Sequence, residues 1–312
     1  MNGQPFVCRP AAPLAALFSD PPDAFSPVPI WWWSGDALDA ARLREQMEQL
    51  IAGGIRQAVV LNLAPSGPLF GSLADEPAFF SDEWWSLFEG VCRDADELGF
   101  SLWFYDQLGF SGADMQGRLV KREPSCRGRA LDRVLVVVDG TSTVRCPPDA
   151  EPLAAFALPD EGDKPIRLAL HDGAATWSGR GRLVLAYSVE QGFDYLDKES
   201  CALLLDSVHG EFERRVGKHL GSTIVGSFQD ELPSMPSWSA TFATEFHARR
   251  GYDLLGEITA LWGEGDAAVR ADYQRTRAEL AEEAFFQPLG EWHAARGLAV
   301  GCDQQHPARA GY

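Results

Sequence analysis

The chain has 312 residues, of which 46% are hydrophobic and 23% are charged, enough to bury the core of one barrel-sized domain. Its net charge of -18 argues against nucleic-acid and anionic-membrane partners, because both need clustered Lys and Arg. No transmembrane run or signal peptide is visible, so we expect a cytoplasmic protein, and the six scattered Cys residues indicate neither a zinc site nor a disulfide framework.

After an N-terminal segment over residues 1–26, which we expect to be extended, one unit is repeated along the chain. It consists of an amphipathic helix, a Gly, a short apolar strand and then a polar or acidic residue. The strands predicted in this way lie at residues 30–33, 57–63, 100–105, 224–228 and 298–301. The helices between them are predicted at residues 38–52, 81–98 and 199–220, with a last helix that ends at 296.

Local signals predict where some of these helices begin or break. Ser34 or Asp36 is expected to cap the first helix, and Ser81 to cap the second. Pro288 lies inside the last helix and should interrupt it near Phe286, because proline cannot donate the helical hydrogen bond.

Residues 129–182 lose the helical period and gain short β-type runs separated by turn signals, which predicts a small β-rich insert. The apolar run over residues 183–188 is predicted as a sixth strand that returns the chain to the main sheet. We therefore expect a barrel domain over residues 27–312, interrupted by the insert at 129–182.

Nearly all-apolar strands that alternate with long helices indicate a parallel sheet buried on both faces. We predict an α/β fold of the (β/α) TIM-barrel type rather than an open doubly wound sheet, because no Gly-rich phosphate loop follows any strand. Six strands leave an eight-stranded barrel incomplete. The first and last strands should then be open edges, so the 312-residue chain alone is expected to associate.

Candidate catalytic groups are the carboxylates that follow predicted strands, since α/β enzymes place their chemistry at the carboxyl ends of their strands. These are Asp106, Asp230, Glu231 and Asp303. Asp230 and Glu231 are adjacent and precede Leu232-Pro233, so they cannot both cap a helix. Two carboxyl groups across a glycosidic bond are the usual requirement of glycoside hydrolysis.

Several stretches resemble, in order, the glycosidases of glycoside hydrolase family 106, which act as α-L-rhamnosidases. Pro29 to Gly35 is similar to their aromatic opening strand, and Trp103 to Gly112 to their "YDE-x-GWPSG" loop. Ser227 to Pro233 is similar to their "TDEP" strand end, Phe246 to Leu254 to their "RYGYDL" helix end, and Arg275 to Trp292 to the helix that follows. The sequence departs from these motifs at Gln107, at Gln229 and at the missing loop proline.

The resemblance implies hydrolysis of terminal α-L-rhamnosyl or similar bonds, with Glu231 as the catalytic carboxylate and Asp230 beside it. The partner carboxylate is expected from a later strand end, so the 312-residue chain alone is expected to lack glycosidase activity. Calcium near the site is a possibility in the family. Residues expected to contact the sugar at the strand ends are Asp106, Trp33, Asn62, Tyr105, Gln107, Asp303 and His306. Trp33 is the expected stacking ring, and Trp32 should face the opposite side of its strand.

Two other classes of function are open on these residues. A non-catalytic carbohydrate-binding or interaction module would keep the aromatic pocket without both carboxylates. A barrel enzyme of another hydrolytic class, such as a metal-assisted hydrolase, would use Asp106, Asp230 and Asp303.

Overall fold

A computed structural model describes residues 14–33, 36–62, 76–110, 113–161, 164–263 and 265–303. The chain divides into two compact units. One, the parallel-sheet unit, comprises Met1–Met115, Leu203–Pro233 and Gln287–His306. The other, the antiparallel-sheet unit, comprises Gln116–Ala202 and Ser234–Phe286.

The strands, in chain order, are β1 (Ile30–Trp33), β2 (Gln57–Asn62), β3 (Ser101–Tyr105), β4 (Arg127–Arg145), β5 (Ala150–Pro159), β6 (Ile166–Leu168), β7 (Ala174–Phe193), β8 (Ile224–Gln229) and β9 (Ala299–Cys302). The helices are α1 (Leu14–Ser19), α2 (Ala40–Ala52), α3 (Asp82–Leu98), α4 (Met115–Arg122), α5 (Lys198–Leu205), α6 (Glu211–Val216), α7 (Phe242–Arg250), α8 (Leu254–Glu257), α9 (Ala267–Ala281) and α10 (Gln287–Arg296). Short 3-10 turns lie at Asp23–Phe25, Pro124–Cys126, Gly217–His219 and Ile258–Trp262, and π turns at Asp206–Gly210 and Glu282–Phe286.

The five strands of the parallel-sheet unit lie in the order β1-β2-β3-β8-β9, and each pair of neighbours is parallel. Helices pack on one face of this sheet, the helix face. There Trp33 packs on Trp84 of α3, and Phe104 stacks on Phe212 of α6 with ring centroids 4.0 Å apart. The opposite face, which we call the Trp32 face, carries a second apolar cluster that centres on Val59, Leu61 and Tyr105.

Capping signals in the sequence decide where several of the helices begin. The Ser81 hydroxyl accepts a hydrogen bond from the Trp84 amide and so caps α3 as predicted. The expected cap of α2 was wrong. Asp39 caps this helix, while the Asp36 carboxylate instead pairs with the guanidinium of Arg42.

The break predicted near Phe286 is confirmed, because the regular α-helix is interrupted there by one turn of π-helix, Glu282–Phe286. This turn lies directly before α10, which carries Pro288. The extended segment predicted for residues 1–26 is wrong in part, since α1 and a 3-10 turn lie within it.

The antiparallel-sheet unit contains a four-stranded sheet in the order β4-β7-β5-β6, formed by the β-type runs predicted at residues 129–182. The prediction of a barrel strand at residues 183–188 was wrong, because this stretch lies in the middle of β7. In β7, which lies between β4 and β5, Leu183 and Val184 point to opposite faces and are both buried, because each face of this strand carries an apolar cluster. A central antiparallel strand and a parallel barrel strand therefore have the same apolar pattern.

The described part of the chain thus supplies five parallel strands instead of six, with β1 and β9 outermost as expected. Closure into an eight-stranded barrel stays a prediction. None of the helices in the described segments is both long enough and apolar enough to cross a membrane.

Candidate functional site

Asp230 and Glu231 follow β8 at the carboxyl edge of the parallel sheet. Oδ2 of Asp230 lies 2.6 Å from the Tyr105 hydroxyl, and its Oδ1 accepts a hydrogen bond of 2.8 Å from the Glu231 amide. Asp106 follows the neighbouring strand β3, so the three carboxyl groups lie at the same edge of the sheet, as predicted.

The loop after β3 packs directly against the chain that carries these two acids. The Asp106 amide donates a hydrogen bond of 3.0 Å to the Phe228 carbonyl. A Cβ atom at Gly109 would lie 2.1 Å from the carbonyl oxygen of Asp230, well inside van der Waals contact. This close backbone approach requires glycine, and it makes the position of Asp230 and Glu231 depend on the shape of the loop.

Tyr105 is buried at the end of β3, and its hydroxyl lies 2.6 Å from two oxygens, the Phe110 carbonyl and Asp230 Oδ2. Burial, followed by the hydrogen bond to Asp230, raises the pKa of Tyr105 far above its usual value. The hydroxyl therefore keeps its proton over the whole range in which proteins are folded, and it can orient the carboxyl group of Asp230.

Asp106 is fully buried, with 0% of its surface exposed, and both of its carboxyl oxygens are bonded within the protein. Oδ1 accepts from the Leu108 amide at 3.0 Å and Oδ2 from Nε2 of Gln229 at 3.1 Å. Burial raises the pKa of Asp106 to about 7, although these two hydrogen bonds oppose the shift. Asp106 was predicted to hold a sugar hydroxyl, but the structure places it between two strand ends.

Asn62 and Gln107, two more expected sugar contacts, are also buried and bonded to the protein. Oδ1 of Asn62 accepts from the Trp84 indole at 3.0 Å, and its backbone carbonyl accepts from Gln107 Nε2 at 2.9 Å. Gln107 adopts a left-handed backbone conformation with φ of 61°, which is uncommon for a residue with a side chain. These contacts tie the ends of β2 and β3 to α3.

The tryptophans of β1 alternate as predicted, but Trp33, the expected stacking ring, is buried. Trp33 is only 2% exposed, because it points to the helix face and packs against two aromatic rings of α3. Its ring centroid lies 6.2 Å from that of Trp84 and 6.0 Å from that of Phe88. Trp32 is 43% exposed and points to the face that carries Tyr105. Strand alternation could have identified Trp32 as the exposed ring only if the face covered by the helices had been known.

The remaining candidates lie at the end of β9 or outside the described residues. Asp303 is exposed, and its amide donates to the Gln229 carbonyl at 3.0 Å. His306 lies outside the described residues. Within the segments that the structure describes, no group of three or more His, Cys, Asp or Glu side chains is arranged to hold a metal ion, so no ligands can be assigned to the calcium that the resemblance implies.

Comparison with known proteins gives a likeness of fold. No protein-family model matches the sequence, and no curated protein matches it. A rhamnosidase from Novosphingobium sp. PP1Y superposes with a TM-score of 0.63 at 13% identity, over 96% of this chain and 48% of its own. A β-galactosidase from the Antarctic haloarchaeon Halorubrum lacusprofundi reaches a TM-score of only 0.39 at 11% identity, over 90% of this chain and 37% of its own. The chain thus has a fold similar to that of a rhamnosidase and spans about half of that protein's length.

Proposed function

We propose that this chain carries a carboxylate-based active site for the hydrolysis of glycosides, of the kind that removes terminal α-L-rhamnosyl or similar sugars. The observation that carries the proposal is the Asp230–Glu231 pair, which ends a parallel strand and is oriented by the Tyr105 hydroxyl. A fold similar to a rhamnosidase supports the same class of reaction. The family-106 motifs in the sequence support the choice of sugar.

Glu231 is the proposed catalytic carboxylate, as the acid or base that acts on the glycosidic oxygen or as the nucleophile. Its side chain is half-buried and follows a backbone segment that Gly109 and Asp106 hold in place. Asp230 is the proposed supporting carboxylate, because one of its oxygens is engaged by Tyr105 and the other by the Glu231 amide.

Trp32 is the proposed stacking surface for a sugar ring, since an exposed indole can cover the apolar face of a pyranose. It lies on β1, three strands from β8, which corresponds to about 14 Å in a flat sheet. A ring at that distance from Glu231 would contact the part of the substrate next to the scissile sugar rather than the reacting carbon.

The test compares Glu231→Gln with the matched control Glu83→Gln, an exposed residue in the first turn of α3. Glu231→Gln should lower kcat on 4-nitrophenyl α-L-rhamnoside by about 10²–10⁴-fold, because it removes the proton-transfer group. The dissociation constant, followed by tryptophan fluorescence, should change little. Near wild-type kcat in Glu231→Gln would exclude this residue as acid, base or nucleophile.

The other classes of function have their own outcomes in the same assay. Binding of the rhamnoside without turnover would identify a non-catalytic carbohydrate-binding module. Turnover that stops when a chelator is added and survives Glu231→Gln would identify a metal-assisted hydrolase.

A further inference from the structure

The loop after β3 and the end of β8 are joined by one buried side-chain pair, the carboxyl group of Asp106 and the amide of Gln229. Their contact of 3.1 Å lies one residue before Asp230 and two before Glu231. Both side chains are at most 2% exposed. The backbone contact between Gly109 and Asp230 lies in the same junction, so the Asp106–Gln229 pair borders the segment that carries the two acids.

We propose that Asp106 and Gln229 form a clasp with two protonation states, and that the clasp positions Glu231 for the proposed glycosidase reaction. Asp106 is thus a positioning residue and does not touch the sugar. In the ionised state, Gln229 Nε2 donates to Asp106 Oδ2, as observed. In the neutral state, a proton taken from solvent resides on Oδ2 and is donated to Gln229 Oε1 after the amide turns over.

Glutamine suits this position because its amide carries a donor and an acceptor of similar size on one carbon. A serine or threonine hydroxyl, which the family motif has there, is shorter by two bonds. The groups that face Asp106 favour a titration near neutral pH. Burial raises the pKa of Asp106 to about 7, the Leu108 amide and the Gln229 side chain lower it, and the charge of Asp230 at the end of β8 raises it. The phenol of Tyr105 next to it stays protonated over this range.

The test follows the side-chain carboxyl carbons by ¹³C NMR from about pH 4 to about pH 9, a range that spans the usual and the shifted pKa of an Asp. We expect a resonance that titrates near pH 7 and disappears in Asp106→Asn but remains in Glu83→Gln. This difference also separates Asp106 from Asp194. Asp194 lies in the other unit, and its burial there raises its pKa to about 7 as well. The side-chain amide of Gln229 should shift with the same midpoint.

Titration of Asp106 near the value of about 3.9 for an exposed Asp, or a Gln229 amide that does not move, would overturn the clasp. If Asp106→Asn does not fold, Gln229→Leu provides a second test. It removes the hydrogen bond of both states, and since the bond to the carboxylate is charge-assisted and therefore the stronger one, the Asp106 midpoint should rise. An unchanged midpoint contradicts the proposal.

The positioning role rests on the proposed function and has its own measurement, the dissociation constant for 4-nitrophenyl α-L-rhamnoside as a function of pH. We expect a step of about two- to tenfold, the effect of one hydrogen bond, with its midpoint near that of Asp106. The step should vanish in Asp106→Asn and persist in Glu83→Gln. If the protein binds the glycoside and the dissociation constant does not change with pH, the positioning role is overturned. If the protein does not bind the glycoside at any pH, the proposed function is contradicted. The NMR titration then decides by itself whether the clasp exists.

Discussion

The hydroxyl of Tyr105 lies 2.6 Å from Oδ2 of Asp230, although 125 residues separate them in the sequence. The two residues end adjacent parallel strands, so the hydrogen bond links β3 to the acidic pair at the end of β8. Because Tyr105 is buried, the bond is shielded from water and fixes the direction of the carboxyl group.

Tyr105→Phe should destabilise the parallel-sheet unit by about 1.5–3 kcal/mol, since it removes a hydrogen bond to a charged group and leaves the ring in place. Urea unfolding followed by circular dichroism measures the change. Tyr187→Phe is the matched control, because its hydroxyl lies 3.2 Å from Asp132 in an exposed setting, and it should cost about 0–1 kcal/mol. Equal losses of unfolding free energy in the two variants would show that the buried Tyr105–Asp230 hydrogen bond stabilises the protein no more than an exposed one.

Gly109→Ala should be more disruptive than its size suggests, because the added Cβ would meet the Asp230 carbonyl oxygen at 2.1 Å. Overpacking of this kind costs about 1–3 kcal/mol, and the shift of the loop should also weaken rhamnoside binding. Gly290→Ala in α10 is the control, because the added Cβ would have no atom within 4 Å. Gly290 is exposed within a helix, where alanine is more favourable than glycine by about 1 kcal/mol. Gly109→Ala with unchanged stability and unchanged binding contradicts a close approach at this point.

His209→Phe should stabilise the protein, by about 1–3 kcal/mol at neutral pH. His209 is fully buried against Phe104 and Trp292, at centroid distances of 5.5 and 5.0 Å, and neither ring nitrogen has a hydrogen-bond partner among the described residues. Replacing an unsatisfied buried polar ring by phenylalanine removes the desolvation cost without opening a cavity.

The same substitution should flatten the acid side of the stability curve. Burial, and then the charges of His293 and Arg296, lower the pKa of His209 well below its usual value of 6.5. The unfolded chain therefore binds the proton first as the pH falls below about 6.5, and wild-type stability falls with it. Thermal unfolding at about pH 7 and about pH 5 measures the slope, with exposed His247→Phe as control. Equal slopes in wild type and His209→Phe would assign acid sensitivity to other groups.

The 312-residue chain should self-associate through its outer strands, because β1 and β9 lack the charged or proline residues that often protect sheet edges. Val300→Lys on β9 should shift the chain towards monomer in sedimentation velocity. Leu203→Lys on α5 is the control, as Leu203 and Val300 are both 43% exposed. A wild-type chain that is monomeric at all concentrations, or equal effects of the two lysines, would argue against edge association.

Features that depend on neighbours in the sequence could be predicted. The helix start at Ser81, the break before Pro288, and the place of Asp230 and Glu231 after an apolar strand are all as expected. Each rests on a capping hydrogen bond, a missing amide or a short periodic run, so the physical cause lies within a few residues of its effect.

Which side of a strand meets water, and which strand lies beside it, were decided by the tertiary structure alone. Alternation separates Trp32 from Trp33, but only the packing of α3 on one face of the sheet decides that Trp33 is buried. The apolar run in β7 could equally have joined the parallel sheet, and Asp106 could have faced a ligand. These outcomes depend on contacts between segments that are far apart in sequence, and the free energy of such contacts comes from burial and pairing that no local pattern encodes.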